Sequence, residues 1–349
     1  GGHMNKFIGL DIKKNAIRFA SVSKAGEQIV VDQFNETVLD GNFYKPTITN
    51  ENFLQKELMT LFKDNRIKQC PTVYSDFGFN LLIKTTKIVE ALNMDKVREA
   101  IFMELGSSIQ VPFNDITFDI LSAKPTEKRE KSDESDAKMK KRKAKEIDKR
   151  EQEVNVVITN ETDLIYVGDA IETTKNIPYG VDMSALSYHR LFSHFSMQKV
   201  KRNMYLLLEL NCGEAIVTVM NKGVPIFTQY AEYNPDHWRV NIENQDQSNW
   251  SNQWTYDEVY EKNKLLSLID NINRIINTFS NVSSSSGIKY TLLVGDNPLV
   301  EEGIASFLSE HIDVPVITPE LAIVNQKGQQ LPKRYYKAVG LSMKKEEFK

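Results

Sequence analysis

Two acidic turns carry the residue types that could do chemistry in this chain. Asp11 closes an alternating stretch that begins at Lys6, and Lys13, Lys14 and Asn15 follow before a second apolar stretch opens at Ala16. Glu209 sits near the end of the apolar run Leu206–Leu210, and Asn211, Cys212 and Gly213 follow it before Ala215–Met220. A third such run, Tyr290–Val294, ends in Gly295. An acid at a strand end can hold a cation, and the N–H groups of the tight turn beside it can cradle a phosphate. The same residue types also end strands and cap turns with no ligand, so both readings stand for Asp11 and Glu209. Lys13 and Lys14 are phosphate ligands in the first reading and exposed turn residues in the second.

The elements around these residues follow from periodicity. Phe7, Gly9 and Asp11, then Ile17, Phe19 and Ser21, alternate in the manner of two strands joined by a polar turn, and a third strand is expected around Gln28–Phe34. Phe53, Leu54, Leu58, Leu61 and Phe62 recur at helical spacing. A helix pair is expected over Ile88–Ile109, ended by Val111-Pro112-Phe113. Strands are expected at Ile116–Leu121, Val154–Ile158 and Leu164–Val167, and a helix over Met183–Phe195. Leu206–Leu210, Ala215–Met220 and Pro225–Tyr230 then repeat the opening three-strand pattern. A long helix over Leu265–Phe279, a Ser-rich turn at Ser283–Gly287, a strand at Tyr290–Val294, a helix through Leu308, a short strand at Pro315–Ile317 and a last helix over Tyr335–Met343 complete the series.

Bulk properties narrow the class. A chain of 349 residues has room for roughly two domains of about 150 residues. The formal net charge of −3 provides no overall basic field for nucleic acid or an anionic membrane. Cys70 and Cys212 are far apart and have no metal-site spacing, so two reduced, packed thiols are expected. None of the five His residues shows a pairing that marks a nucleophile or a metal site, and no residue is assigned a catalytic or metal-ligating role. Gly1–Met4 reads as a cleavage scar before a start Met, no apolar run reaches the roughly 18 residues of a membrane span, and a cytoplasmic location is expected.

Two segments interrupt the pattern. Residues 124–153 are dominated by Lys, Arg, Glu and Asp and read as a solvated insertion; Lys138–Lys145 could alternatively form a patch for anionic lipid or RNA, although no aromatic residue interleaves it for base stacking. Trp238, Trp250 and Trp254 lie in a polar stretch without periodicity. They either mark an interface or fold back onto the second half of the chain.

Gly9-Leu10-Asp11-Ile12, Glu209–Gly223, Leu292–Gly295 and Ala338-Val339-Gly340-Leu341 resemble, in this order, the first phosphate, second phosphate, adenosine and second connecting motifs of the actin, Hsp70 and FtsA superfamily. Within it, Glu99–Asp119 with Glu104 and Val111-Pro112-Phe113, and Gly180-Val181-Asp182 followed by Ala185-Leu186, are similar to the pattern of PilM-like type IV pilus assembly proteins. The resemblance implies an α/β, actin-like (ribonuclease H-like, duplicated) two-lobed fold with mixed sheets. It places the first lobe at residues 5–195, with an inserted subdomain at about 72–180 and the charged insertion at 124–153. The second lobe spans 203–345, with the Trp-containing loop at 234–256.

The resemblance also implies the site and the role. If the cleft is functional, ATP and Mg2+ would meet Asp11, Lys13, Lys14, Asn15, Glu209, Asn211, Cys212, Gly213, Gly295 and Asp296. Several of these depart from the superfamily's pattern: Lys13 stands where a Gly lets the backbone approach phosphate, Glu209 replaces an Asp, Asn211 replaces a Gly, and Asp296-Asn297-Pro298 follows Gly295 in place of small residues. A longer acid would displace an octahedral Mg2+, so weak or absent ATP binding is expected. The role implied is then a cytoplasmic scaffold of type IV pilus, type II secretion or competence assembly. It would hold the N-terminal tail of a PilN-like inner-membrane partner, with Glu99–Asp119 as the region to search for the groove, and contact other pilus assembly proteins. It would bind no nucleic acid and would reach the inner face of the cytoplasmic membrane only through its partner. An ATP-binding actin-like ATPase and an FtsA-like cell-division filament protein are the alternatives.

Overall fold

The computed structural model describes residues 6–26, 28–39, 52–89, 93–125, 151–195, 197–241, 253–280 and 287–344. The chain divides into two compact units, residues 1–79 with 163–349, and residues 80–162.

The first unit opens as the alternation predicts. β1 (Phe7–Ile12), β2 (Ala16–Ala25) and β3 (Gln28–Val38) form an antiparallel meander. The helix Phe53–Asp64 then carries the chain to β4 (Pro71–Ser75), which pairs parallel to β1. A parallel neighbour requires such a crossover, because a tight turn can only reverse the chain.

The second unit holds β5 (Leu82–Val89), the helix Met94–Glu104, β6 (Ile116–Pro125) and β7 (Glu151–Asn160), with β7 paired antiparallel to both β5 and β6. Ile88, Val97, Ile101, Val154, Val156 and Ile158 form its core. The helix pair expected over Ile88–Ile109 is corrected here: Ile88 lies in β5, and only Met94–Glu104 is helical. Thr85, Thr86, Ile88 and Val89 are β-branched, and pairing with β7 satisfies their backbone.

The helix Glu161–Thr173, which belongs to the first unit from Asp163 onward, occupies the place where Leu164–Val167 was expected to be a strand. Leu164, Val167, Ala170 and Ile171 are its buried face, a helical spacing that a window of four residues cannot distinguish from a buried strand. β8 (Ile177–Asp182) pairs parallel to β4, and the helix Ser184–His194 follows.

The meander then repeats as β9 (Met204–Asn211), β10 (Glu214–Asn221) and β11 (Val224–Glu232). β12 (Arg239–Val240) and β13 (Trp254–Thr255) make a small antiparallel pair. The helix Glu258–Ser280 leads to β14 (Thr291–Val294), parallel to β9, and β15 (Val316–Ile317) lies parallel to β14. The helix expected to run through Leu308 is two pieces, Pro298–Glu301 and Ile304–His311, separated where Gly303 takes a left-handed φ of 84°.

The two large sheets have strand orders β3-β2-β1-β4-β8 and β11-β10-β9-β14-β15. They are one topology used twice, with β1 and β9 central. Every residue of β9 is buried, as expected of a strand covered on both faces. The last helix, Tyr336–Ser342, lies on β1, and Gly9 permits the contact, since a Cβ there would overlap the Ala338 carbonyl. Most of the charged segment 124–153, Trp250, residues 283–286 of the Ser-rich turn and the tail beyond Lys344 lie outside the described residues; the ends of the charged segment belong to β6 and β7.

Candidate functional site

The ends of β1 and β9 bring Asp11 and Glu209 to one point, and the Lys13 ammonium stands between them. Lys13 Nζ lies 3.0 Å from Asp11 Oδ2 and 3.2 Å from Glu209 Oε2. Lys337, from the last helix, places a second ammonium 3.7 Å from each of the same carboxylates. The Asn211 amide donates to Glu209 Oε2 at 2.7 Å, and Ser184 Oγ donates to Glu209 Oε1.

Burial alone would lower the Lys13 pKa, but the facing Asp11 and Glu209 carboxylates outweigh it and hold the ammonium well above the usual lysine range. Burial would likewise raise Glu209, yet Lys13, Lys337 and the two hydrogen bonds keep its carboxyl far below the usual range. Both groups are therefore charged at neutral pH.

The first turn is closed on itself, with the Lys13 N–H donating to the Ala16 carbonyl at 2.9 Å. Lys14 reaches the second hairpin, its ammonium 2.8 Å from Glu232 Oε1 and 3.3 Å from the Gly213 carbonyl. Asn15 is buried, and its side-chain amide has no hydrogen-bond partner among the described residues.

The second and third loops bond to each other. Asp296 N–H donates to Asn211 Oδ1 at 3.1 Å, Cys212 N–H donates to Asp296 Oδ1 at 3.4 Å, and a Cβ on Gly295 would overlap the Leu210 carbonyl. The Asp296 carboxylate meets the guanidinium of Arg18 at 2.7 Å. Glu36 lies 3.6 Å from Arg18 and 2.9 Å from Arg334. Cys212 is a buried thiol whose pKa burial pushes up, and Cys70 is also unbridged.

Beside the ion cluster is a cavity of about 30 Å³ bounded by Lys13, Lys14, Asp76, Phe79, Glu214 and Lys337, room for about two water molecules. Burial pushes the Asp76 carboxyl up to about 6, with Lys337 and the Ser184 N–H opposing.

Asp11, Lys13, Glu209, Asn211, Cys212, Gly213, Gly295 and Asp296 thus converge with Lys14, while the Asn15 side chain joins none of the ion pairs described. Arg18 and Lys337 escaped the sequence reading, although each left a signal: a cation inside an apolar run, Ile17-Arg18-Phe19 and Tyr336-Lys337-Ala338, must find a counter-charge when buried. Trp238 and Trp254 fold back against Ala16 and Cys212. His237, for which no pairing was read, donates from Nε2 to Glu261 Oε1 at 2.9 Å and accepts the Asp257 N–H at Nδ1, also at 2.9 Å. Trp238 Nε1 donates to the same Glu261 oxygen at 3.1 Å.

No protein-family model matches the chain, and no curated protein does. Among solved structures, a chain of a PilM-PilN type IV pilus biogenesis complex is similar with a TM-score of 0.70 at 14% identity, over 97% of each chain. The ethanolamine utilization protein EutJ from Carboxydothermus hydrogenoformans follows at a TM-score of 0.45 and 7% identity, over 97% of this chain and 89% of that one. The cytoplasmic domain of EpsL, an inner-membrane component of the type II secretion system of Vibrio cholerae, has a TM-score of 0.43 and 10% identity, over 97% of this chain and 95% of that one. The chain thus shares the fold of that PilM-PilN complex chain, and the α/β, actin-like fold class with mixed sheets expected from the ordered motifs is the one it has. No helix among the described residues is long and apolar enough to cross a membrane.

Proposed function

We propose that this chain is an assembly adaptor of a type IV pilus or a related type II secretion or competence machine. It holds the N-terminal tail of a PilN-like inner-membrane protein and turns over no nucleotide. The observation that carries this reading is the end-to-end likeness, TM-score 0.70 over 97% of both chains, to a chain of a PilM-PilN complex.

The missing turnover follows from the residues at the strand ends. A Mg2+–triphosphate group needs carboxylates free to face the ion and loop N–H groups free to face oxygens. Here Lys13 already pairs with Asp11 and Glu209, and the Lys13, Cys212 and Asp296 N–H groups are spent within the protein. These residues do not suit that group, and no catalytic step is assigned to them.

Tail binding is placed on the unit 80–162, where Met94, Phe102 and Met103 are exposed on the helix Met94–Glu104. A tail laid along such a surface gains affinity from side-chain pockets and main-chain hydrogen bonds, without chemistry. The net charge of −3 gives no reason to invoke nucleic acid, and the membrane is reached through the partner.

The test is titration of the full chain with a labelled peptide of the partner's cytoplasmic tail. Micromolar binding that Phe102→Asp weakens at least tenfold supports the reading. No binding at millimolar peptide removes it.

A further inference from the structure

We infer that the point between Asp11 and Glu209 is a cation site that the chain fills with its own Lys13, so that an internal ion cluster, and no bound metal nucleotide, ties the two large sheets together. The inference rests on the nucleotide-free reading of this site and is independent of the identity of any partner.

Geometry carries it. Three oxygens converge on one ammonium: Asp11 Oδ2 at 3.0 Å, Asp11 Oδ1 at 3.2 Å and Glu209 Oε2 at 3.2 Å. Two of the ammonium's three donors have carboxylate acceptors, Asp11 Oδ1 and Glu209 Oε2, and Asp11 Oδ2 adds a close ion-pair contact. The side chains of Lys13, Asp11, Glu209 and Lys337 are 2%, 0%, 3% and 6% exposed, so a lysine of a solvated turn is not what is found.

Charge balance points the same way. Two carboxylates face two ammonium groups, and the four charges sum to zero. A divalent ion added between Asp11 and Glu209 would sit beside two cations already paired with those carboxylates, in surroundings where water screens little, while Asp76 and Glu214 line the neighbouring cavity together with Lys14. A single lysine tethered by its own turn supplies the counter-charge without the entropy of capturing an ion.

The connections explain what the cluster does. Asp11 belongs to β1, Glu209 to β9 and Lys337 to the helix Tyr336–Ser342, while Lys13 lies in the β1–β2 turn. Removing Lys13 leaves two buried acids with one counter-ion, and an uncompensated buried charge is strongly destabilising.

Two measurements on the full chain test this. Native protein is reductively methylated and its peptides are followed by mass spectrometry: Lys13 stays unmodified while Lys87, which is 60% exposed, is methylated; methylation of both at one rate overturns the inference and leaves the adaptor reading standing. Lys13→Ala is then melted with propylammonium, which replaces the deleted atoms, with tetramethylammonium at the same ionic strength, and with Mg2+. The variant is expected to lose roughly 10 °C and to recover with propylammonium only, and the parent protein is indifferent to all three. A parent protein stabilised by Mg2+ or Mg-ATP overturns both this inference and the nucleotide-free reading. A Lys13→Ala protein as stable as its parent, or one that propylammonium does not stabilise, overturns the inference alone.

Discussion

Arg18 on β2 and Asp296 after β14 are separated by 278 positions in the chain and meet at 2.7 Å, with neither side chain exposed. The contact joins the first large sheet to the third site loop. Burial would lower the guanidinium's pKa, but Glu36 and Asp296 outweigh it and shift it upward. Truncating one member of a buried pair costs far more than the pair contributes when intact, because the other charge stays behind. Asp296→Ala is therefore expected to lose about 3–5 kcal/mol in urea unfolding, and Arg18→Met combined with Asp296→Leu clearly less than the sum of the two single changes. Simple additivity would show that the two side chains are not coupled.

Close packing of the last helix gives a second expectation. A Cβ at Gly9 would overlap the Ala338 carbonyl and one at Gly340 the Ser187 carbonyl, whereas Gly180 has open space around it. Gly9→Ala and Gly340→Ala should each lose about 2–3 kcal/mol, and Gly180→Ala no more than about 0.5 kcal/mol. Thermal unfolding of the three variants checks the order.

Asp76 gives a pH signature. Its carboxyl is raised from 3.8 to about 6 by burial, so between these values the folded chain keeps a proton that the unfolded chain has released. Stability from this group is full at low pH and falls as pH rises through the window, by about 3 kcal/mol in all. Asp76→Asn, which can still accept the Ser184 N–H, removes the slope. Its advantage over the parent protein should grow from near zero at pH 4 to this size at pH 7. Glu209, with its pKa depressed, contributes with the opposite sign: its stabilisation is present above the unfolded pKa and is lost as pH falls toward the folded one. A difference between Asp76→Asn and parent that stays flat from pH 4 to 7 would exclude the assignment.

Glu261 is only 3% exposed and accepts from both His237 and Trp238. Glu261→Ala leaves the buried Trp238 N–H and the half-buried His237 N–H without this acceptor. About 2 kcal/mol should be lost, together with part of the near-ultraviolet circular dichroism from the packed Trp238 and Trp254. An unchanged aromatic spectrum would mean that the indoles are held by packing alone.

The sequence by itself determined what depends on local period and turn chemistry. Alternation over Phe7–Ser21 and its recurrence over Leu206–Tyr230 made both meanders legible, and the order of the four motifs pointed to the duplicated fold. Where local pattern and tertiary pairing disagreed, the pattern failed: Ile88 went to a strand because β7 offered its hydrogen bonds, and Leu164–Val167 went to a helix whose buried face is longer than the window that suggested a strand. The acids Asp11 and Glu209 were legible as candidate site residues from their positions at strand ends, and Asp296 from the motif resemblance alone. What faces them was decided only by the tertiary structure. Lys13 reads in sequence first as an exposed turn residue and second as a phosphate ligand, and nothing near it in sequence points to a buried ion pair. Its direction is set by Glu209, 196 positions away, and by Lys337 from the last helix, because a buried charge takes whichever partners the packed sheets bring within reach.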